Sequence, residues 1–113
     1  MTRVLQQQIE LVPEDVRARI LLSANFASGG DETASIRELQ IAIALRPNDS
    51  NILYNAACTY GIFKRKQEAL DMLRKAIAAG YHNFDWIARD SDLICLRDDP
   101  EFQSLLEEGQ RKA

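Results

Sequence analysis

The side chains able to do chemistry are few and scattered. His82 is the single histidine. Metal ligation or acid–base work would need partners at ligand spacing. Asp85 and Asp90 stand near it, as they also would around an ordinary helix-end histidine. Cys58 lies one helical turn before Ile62, with no basic residue close enough in sequence to lower its pKa. It reads as a small apolar packing or groove residue. Cys95 sits among Leu93, Ile94 and Leu96 and reads as core. Asp90, Asp92, Asp98 and Asp99 form an acidic group that lacks the central glycine and terminal glutamate of a calcium loop, so helix capping accounts for them better. Tyr81, Phe84 and Trp86 offer either a ligand platform or an apolar plug, and a plug is expected. No glycine-rich phosphate loop, nucleophile elbow or zinc spacing occurs. These residues imply no enzyme, no cofactor and no metal.

Composition narrows the partners. The chain has 113 residues, of which 27% are charged and 46% hydrophobic, ordinary values for a soluble globular domain. A domain of this size buries about two thirds of its extended-chain surface on folding, enough for a real core. The net charge of −3 argues against nucleic acid, because phosphate binding needs clustered lysine and arginine. The one basic cluster, Lys64-Arg65-Lys66, reads as a solvated turn between helices. No stretch approaches the roughly 18 continuous apolar residues of a membrane span, and the N-terminal residues turn polar too soon for a signal peptide. Two cysteines without a close pairing signal fit a reducing cytoplasm.

What must position these side chains is a register that repeats every 34 residues. Leu5, Ile9, Leu11, Pro13 and Asp15 align with Leu39, Ile43, Leu45, Pro47 and Asp49. Leu73, Ile77 and Ala79 continue the series, Phe26 maps onto Tyr60, and Ala42 onto Ala76. A period of this length with helical spacing inside it marks stacked helix-turn-helix units, none of which can bury its apolar face alone.

The elements follow from local signals. Residues 3–12 carry Val4, Leu5, Ile9 and Val12 at helical spacing. In the register this is a second helix without its first, so the chain is expected to begin mid-repeat, as a natural cap or as part of a longer protein. Pro13 suits a first helical turn. A helix from about Glu14 to Ser28 ends at Gly29-Gly30. Asp31 caps the next, about residues 32–45, and Asn48 or Asp49 caps a third, from about Ser50 to Phe63. A fourth runs from about Gln67 to Ala79 and stops at Gly80. Beyond it Asn83 and Ser91 are candidate caps of two short turns. Asp99-Pro100-Glu101 opens a last helix to about Gln110. Ala57, Ala69 and Ala76 are expected where helices approach closely. Trp86, Leu96, Phe102 and Leu105 are expected to cover the end of the fourth helix.

At these residues the chain resembles a tetratricopeptide repeat protein. The best unit is Ser50–Asn83, with Leu53, Ala57 and Tyr60 matching the large, small and aromatic places of the first helix, and Ala69, Leu73 and Ala76 those of the second. Val16–Asp49 carries Ser23, Phe26, Ser35, Leu39, Ala42 and Pro47 at those places. It departs from the pattern at Ser23 and Ser35, where alanine or glycine is usual, and at Arg19, where a large apolar residue is usual. The tail, from Asp85-Trp86-Ile87 to Asp99-Pro100-Glu101-Phe102 and Leu105-Leu106, is similar to segments that close repeat arrays in large bacterial signalling chains.

The resemblance implies an all-α fold, an α-α superhelix or solenoid. Residues 1–13 would be a half repeat, 14–49 and 50–83 full repeats, and 84–113 degenerate capping helices. It implies a scaffold that binds a protein or peptide in a concave groove lined by first helices. The groove positions fall on Arg17, Ile20, Ala24 and Ala27, then on Asn51, Tyr54, Asn55, Cys58 and Ile62. Part of the family grips a peptide's terminal carboxylate with Lys, Asn and Arg at such places. Here only Asn55 fits, so that clamp is not expected. The second expectation is self-association through the uncovered side of residues 1–12, carried by Leu5, Ile9 and Val12, as a structural module at the end of a larger signalling protein.

Overall fold

The computed structural model describes residues 2–11 and 15–112, and all regular structure among them is helical. In chain order it comprises α1 (Thr2–Leu11), α2 (Val16–Ser28), α3 (Glu32–Leu45), α4 (Ser50–Ile62), α5 (Lys66–Ala78), α6 (Phe84–Arg89), a 3-10 turn (Ser91–Leu96) and α7 (Pro100–Lys112). The predicted boundaries agree to within a few residues. Pro13 and Val12, given roles above, lie outside the described residues. No helix among those described is long and apolar enough to cross a membrane.

The boundaries are set by local hydrogen bonding. Asp15, Asp31 and Asp49 each accept a backbone N–H three residues on, from Ala18, Ala34 and Ile52, at 3.1–3.2 Å. This satisfies donors that a helix start leaves without partners. Asp15 and Asp49 are equivalent in the 34-residue register, so the period carries its cap with it. Asp90, not Ser91, caps the 3-10 turn, accepting the Asp92 N–H at 3.0 Å. The cap thus stands one residue earlier than expected.

Three helices end in the same way. After α2, the Asp31 N–H bonds the Phe26 carbonyl and the Gly30 N–H bonds that of Ala27. After α4 the pairs are Arg65 to Tyr60 and Lys64 to Gly61; after α5, Tyr81 to Ala76 and Gly80 to Ile77. This is the Schellman arrangement, which puts the residue after the cap in the left-handed region. Gly30 (φ 80°) and Gly80 (φ 114°) take it without strain, but at α4 the residue is Lys64 (φ 60°).

Packing follows the period. Leu5, Leu39 and Leu73 are all buried, as are Ala42 and Ala76. α2 and α3 run antiparallel, since Ser23 meets Ser35 while Arg19, earlier on α2, meets Glu38, later on α3. α4 and α5 form the second pair, with Ala56, Ala57, Ala69 and Ala76 fully buried in it. One core joins α3, α4, α5, the tail and Phe102; a smaller one joins Leu5 of α1 to Ala18 and Leu22 of α2. The molecule is elongated, with extents of 44 × 25 × 19 Å.

The departures in the first unit are accommodated within it. Ser23 Oγ donates to the Ser35 carbonyl and Ser35 Oγ to the Ser23 carbonyl, each at 2.8 Å and both buried. Two hydroxyls thus satisfy each other's backbone across a close helix contact. Arg19 reaches the buried carboxylate of Glu38 with Nη1 at 2.6 Å and 3.0 Å from its two oxygens. The tail departs from expectation at Trp86, which is 46% exposed and plugs nothing, whereas Leu96 and Phe102 are buried. Phe84 and Ile87 supply the inward face of α6 instead.

Candidate functional site

The expected groove positions divide into three groups. Arg17 and Ile20 on α2, with Asn51 and Asn55 on α4, line one cavity of about 530 Å³. Its floor is apolar, formed by Ile20, Leu21 and Ile52. Its rim is polar, formed by Arg17, Arg46, Asn51 and Asn55, all exposed, with the capping carboxylates Asp15 and Asp49 at the helix starts. Arg46 comes from the connector after α3, where its N–H still bonds the Ala42 carbonyl at 3.1 Å. The cavity exists because α2 and α4 begin side by side, each opened by its register-equivalent aspartate.

Ala24 and Ile62 form the second group: both are exposed, and neither lines this cavity. Ala27 is buried.

Tyr54 and Cys58 form the third group, and for them the expectation is corrected. Both are buried and line no open groove. The tail covers them. Tyr54 Oη donates to Asp90 Oδ2 at 2.5 Å, Cys58 Sγ donates to the same oxygen at 3.5 Å, and the Tyr81 ring stacks on Tyr54 with centroids 4.2 Å apart. Burial is the main cause that pushes both the Tyr54 hydroxyl and the Cys58 thiol well above their usual range, with the Asp90 carboxylate adding to it. Burial, and then the charge of Asp90, also raises Asp92.

Cys58 Sγ and the Asp90 and Asp92 carboxylates lie within 4.8 Å of one another. Within the chain itself Asp90 Oδ2 accepts from Tyr54 and Cys58, and Asp90 Oδ1 accepts the Asp92 N–H. The cluster fastens residues 90–96 to α4. His82 stands apart, exposed, with Nδ1 3.1 Å from the Gly80 carbonyl.

The electrostatics of the open cavity differ. Asp15 is held below the usual carboxylate range, chiefly by the Ala18 N–H and then by the Gln8 amide, with Arg17 contributing. The two aspartates are therefore occupied as caps, whereas the arginine and asparagine side chains face outward. A larger concavity of about 670 Å³ lies between the ends of α3 and α5, but Asn48 and Lys75 are the sole hydrogen-bonding side chains on its wall.

Sequence reasoning missed Arg46, Leu21 and Ile52 in the cavity wall. Arg46 is a connector residue outside the first-helix register, and nothing in its neighbours marks where it points. A scan of protein-family models finds no match to the chain, and comparisons with curated proteins and with solved structures find none either.

Proposed function

We propose that the chain is a tetratricopeptide-like α-α superhelix that works as a non-enzymatic protein-interaction module, holding a peptide in the groove between α2 and α4. The cavity itself carries this reading. It brings four of the expected groove residues, Arg17, Ile20, Asn51 and Asn55, around an apolar floor with a polar rim. Recognition sites of this kind combine apolar surface for affinity with a few convergent polar groups for orientation. The repeated register, the matched caps of α2 and α4, and the buried small residues of α4 and α5 support the superhelical reading. Cys58 and Cys95 are unbridged, in keeping with a reducing cytoplasm.

The test is selection of displayed 12-residue peptides on the full chain, followed by affinity measurement on Asn51→Arg/Asn55→Arg. Both asparagines are exposed, so the variant is expected to melt like the parent while losing the selected peptides. Peptides that bind the variant as well as the parent would place the working surface elsewhere.

A second reading, self-association through residues 1–12, has its own observation. Leu5 and Ile9, expected to carry this face, pack against α2 instead, and Val12 lies outside the described residues; the open apolar residues of α1 are Val4, 64% exposed, and Leu11, 80%. Val4 is equivalent in the register to Glu38, which is buried against α2. Apolar side chains left open together at one end commonly mark an interface. This reading expects a concentration-dependent rise in mass on sedimentation, abolished by Val4→Asp/Leu11→Asp. A parent chain that stays monomeric at high concentration removes it.

A further inference from the structure

We infer that the ligand of the α2–α4 groove is an acidic peptide segment: an aspartate or glutamate side chain meets Arg17 and Arg46, and a neighbouring apolar side chain lies on the Ile20–Leu21–Ile52 floor. This rests on the groove being the binding site, as proposed above. It deepens that reading by giving the ligand a charge.

The rim holds an excess of hydrogen-bond donors. Among the described residues, the side chains of Arg17, Arg46, Asn51 and Asn55 make no hydrogen bond or ion pair with the rest of the chain. By contrast, Arg65, Arg74 and Arg19 all have carboxylate partners. A guanidinium offers five donors and no acceptor, an asparagine amide two donors and one carbonyl oxygen. The carboxylates on the same wall are partly engaged as caps. Asp15 takes the Ala18 N–H on one oxygen and the Gln8 amide on the other, and Asp49 takes the Asn51 and Ile52 N–H groups on Oδ1. Each also sits at a helix start, whose partial positive charge of about half a unit offsets part of its own. Among the described residues, two arginines and two helix starts against two aspartates leave the rim positive. A basic ligand would meet carboxylates largely engaged as caps, with Asp49 Oδ2 the one oxygen that accepts no bond from the described residues, whereas an acidic ligand finds the donors of both arginines.

The overall charge of −3 does not oppose this. At physiological ionic strength charges are screened over about 8 Å, so a carboxylate at the rim responds chiefly to the arginines beside it. The amides of Asn51 and Asn55, on the α4 side, are placed to bond the carbonyls of an extended backbone. The floor between them and Arg17 is where an apolar side chain adjacent to the acid would lie.

The experiment uses the full chain and displayed 12-residue peptides, remade with acetylated and amidated ends so that a terminal carboxylate plays no part. Affinity is read by fluorescence anisotropy, and the side-chain amide resonances of Asn51 and Asn55 report where the peptide sits. The expected result is enrichment of Asp or Glu next to an apolar residue, with both amide signals shifting. Replacing that acid by its amide, or Arg17→Gln or Arg46→Gln in the protein, is expected to weaken binding by about tenfold. Raising the salt should weaken it further. Peptides that shift both asparagines but bind equally well without their acid, or that are enriched in Lys and Arg, overturn the acidic ligand and leave the groove standing. Peptides that bind without moving either asparagine, or a library that yields none, overturn both.

Discussion

Single residues in the tail show how burial, rather than residue type, assigns a role. Asp90 and Asp92 are equally acidic in sequence, yet Asp90 accepts three hydrogen bonds while Asp92 bears the consequence of that neighbour. The Asp92 carboxyl is raised above its usual range by burial and then by the Asp90 charge, so the folded state favours its protonated form. The penalty is absent below the unfolded-state value of about 3.9 and grows as pH rises through the folded value. Asp92→Asn is therefore expected to raise the unfolding midpoint at pH 7 and to match the parent near pH 3. An equal gain at both pH values would show that charge is not the cause. Asp15 has the opposite sign: its lowered pKa contributes stability at neutral pH that is lost in acid. Neither difference is visible in the order of letters, because each depends on what folds against the carboxyl.

Within the elements, the glycines divide by what stands opposite them. Gly61 lies near the end of α4, where a Cβ would come within 2.4 Å of the Asp92 carbonyl oxygen. Alanine is the better helix former by about 1 kcal/mol, but forcing the tail segment away costs about 1–3 kcal/mol. Gly61→Ala is expected to destabilise on balance, measured by urea unfolding. Gly29→Ala, with no Cβ contact closer than 3.6 Å, is its control and is expected to be neutral or stabilising. A Gly61→Ala protein more stable than the parent would mean that residues 90–96 do not press on α4. Lys64 is the converse case. It occupies at φ 60° the place that Gly30 holds in the first unit, with an exposed side chain. Lys64→Gly should relieve left-handed strain and raise stability by up to about 1 kcal/mol, visible as a higher melting temperature. A lower one would show that this turn is not strained.

At the level of the whole molecule, the question is what closes the stack. α7 packs on α5 and α6, and Phe102 is 2% exposed within the main core. Phe102→Ala is expected to cost about 3–5 kcal/mol; a loss below about 1 kcal/mol would mean the last helix is an appendage. The helices themselves were legible in the sequence. Caps at Asp31 and Asp49, stops at Gly30 and Gly80, and the burial of Leu39 and Leu73 follow from spacing and from bonds reaching three to five residues along the chain; Asp15 caps α2 where the sequence reads a helix already begun at Glu14. Four of the ten residues on the cavity wall, Arg17, Ile20, Asn51 and Asn55, stand at positions that the repeat singles out. Tertiary structure alone decided the rest. Tyr54 and Cys58 lie under an aspartate more than thirty positions away, Arg19 is held by Glu38, and Arg46 joins the groove from a connector. Helical periodicity states which side of a helix turns inward. It does not state which distant segment arrives there, because that is set by the packing of whole elements whose separation along the chain has no period.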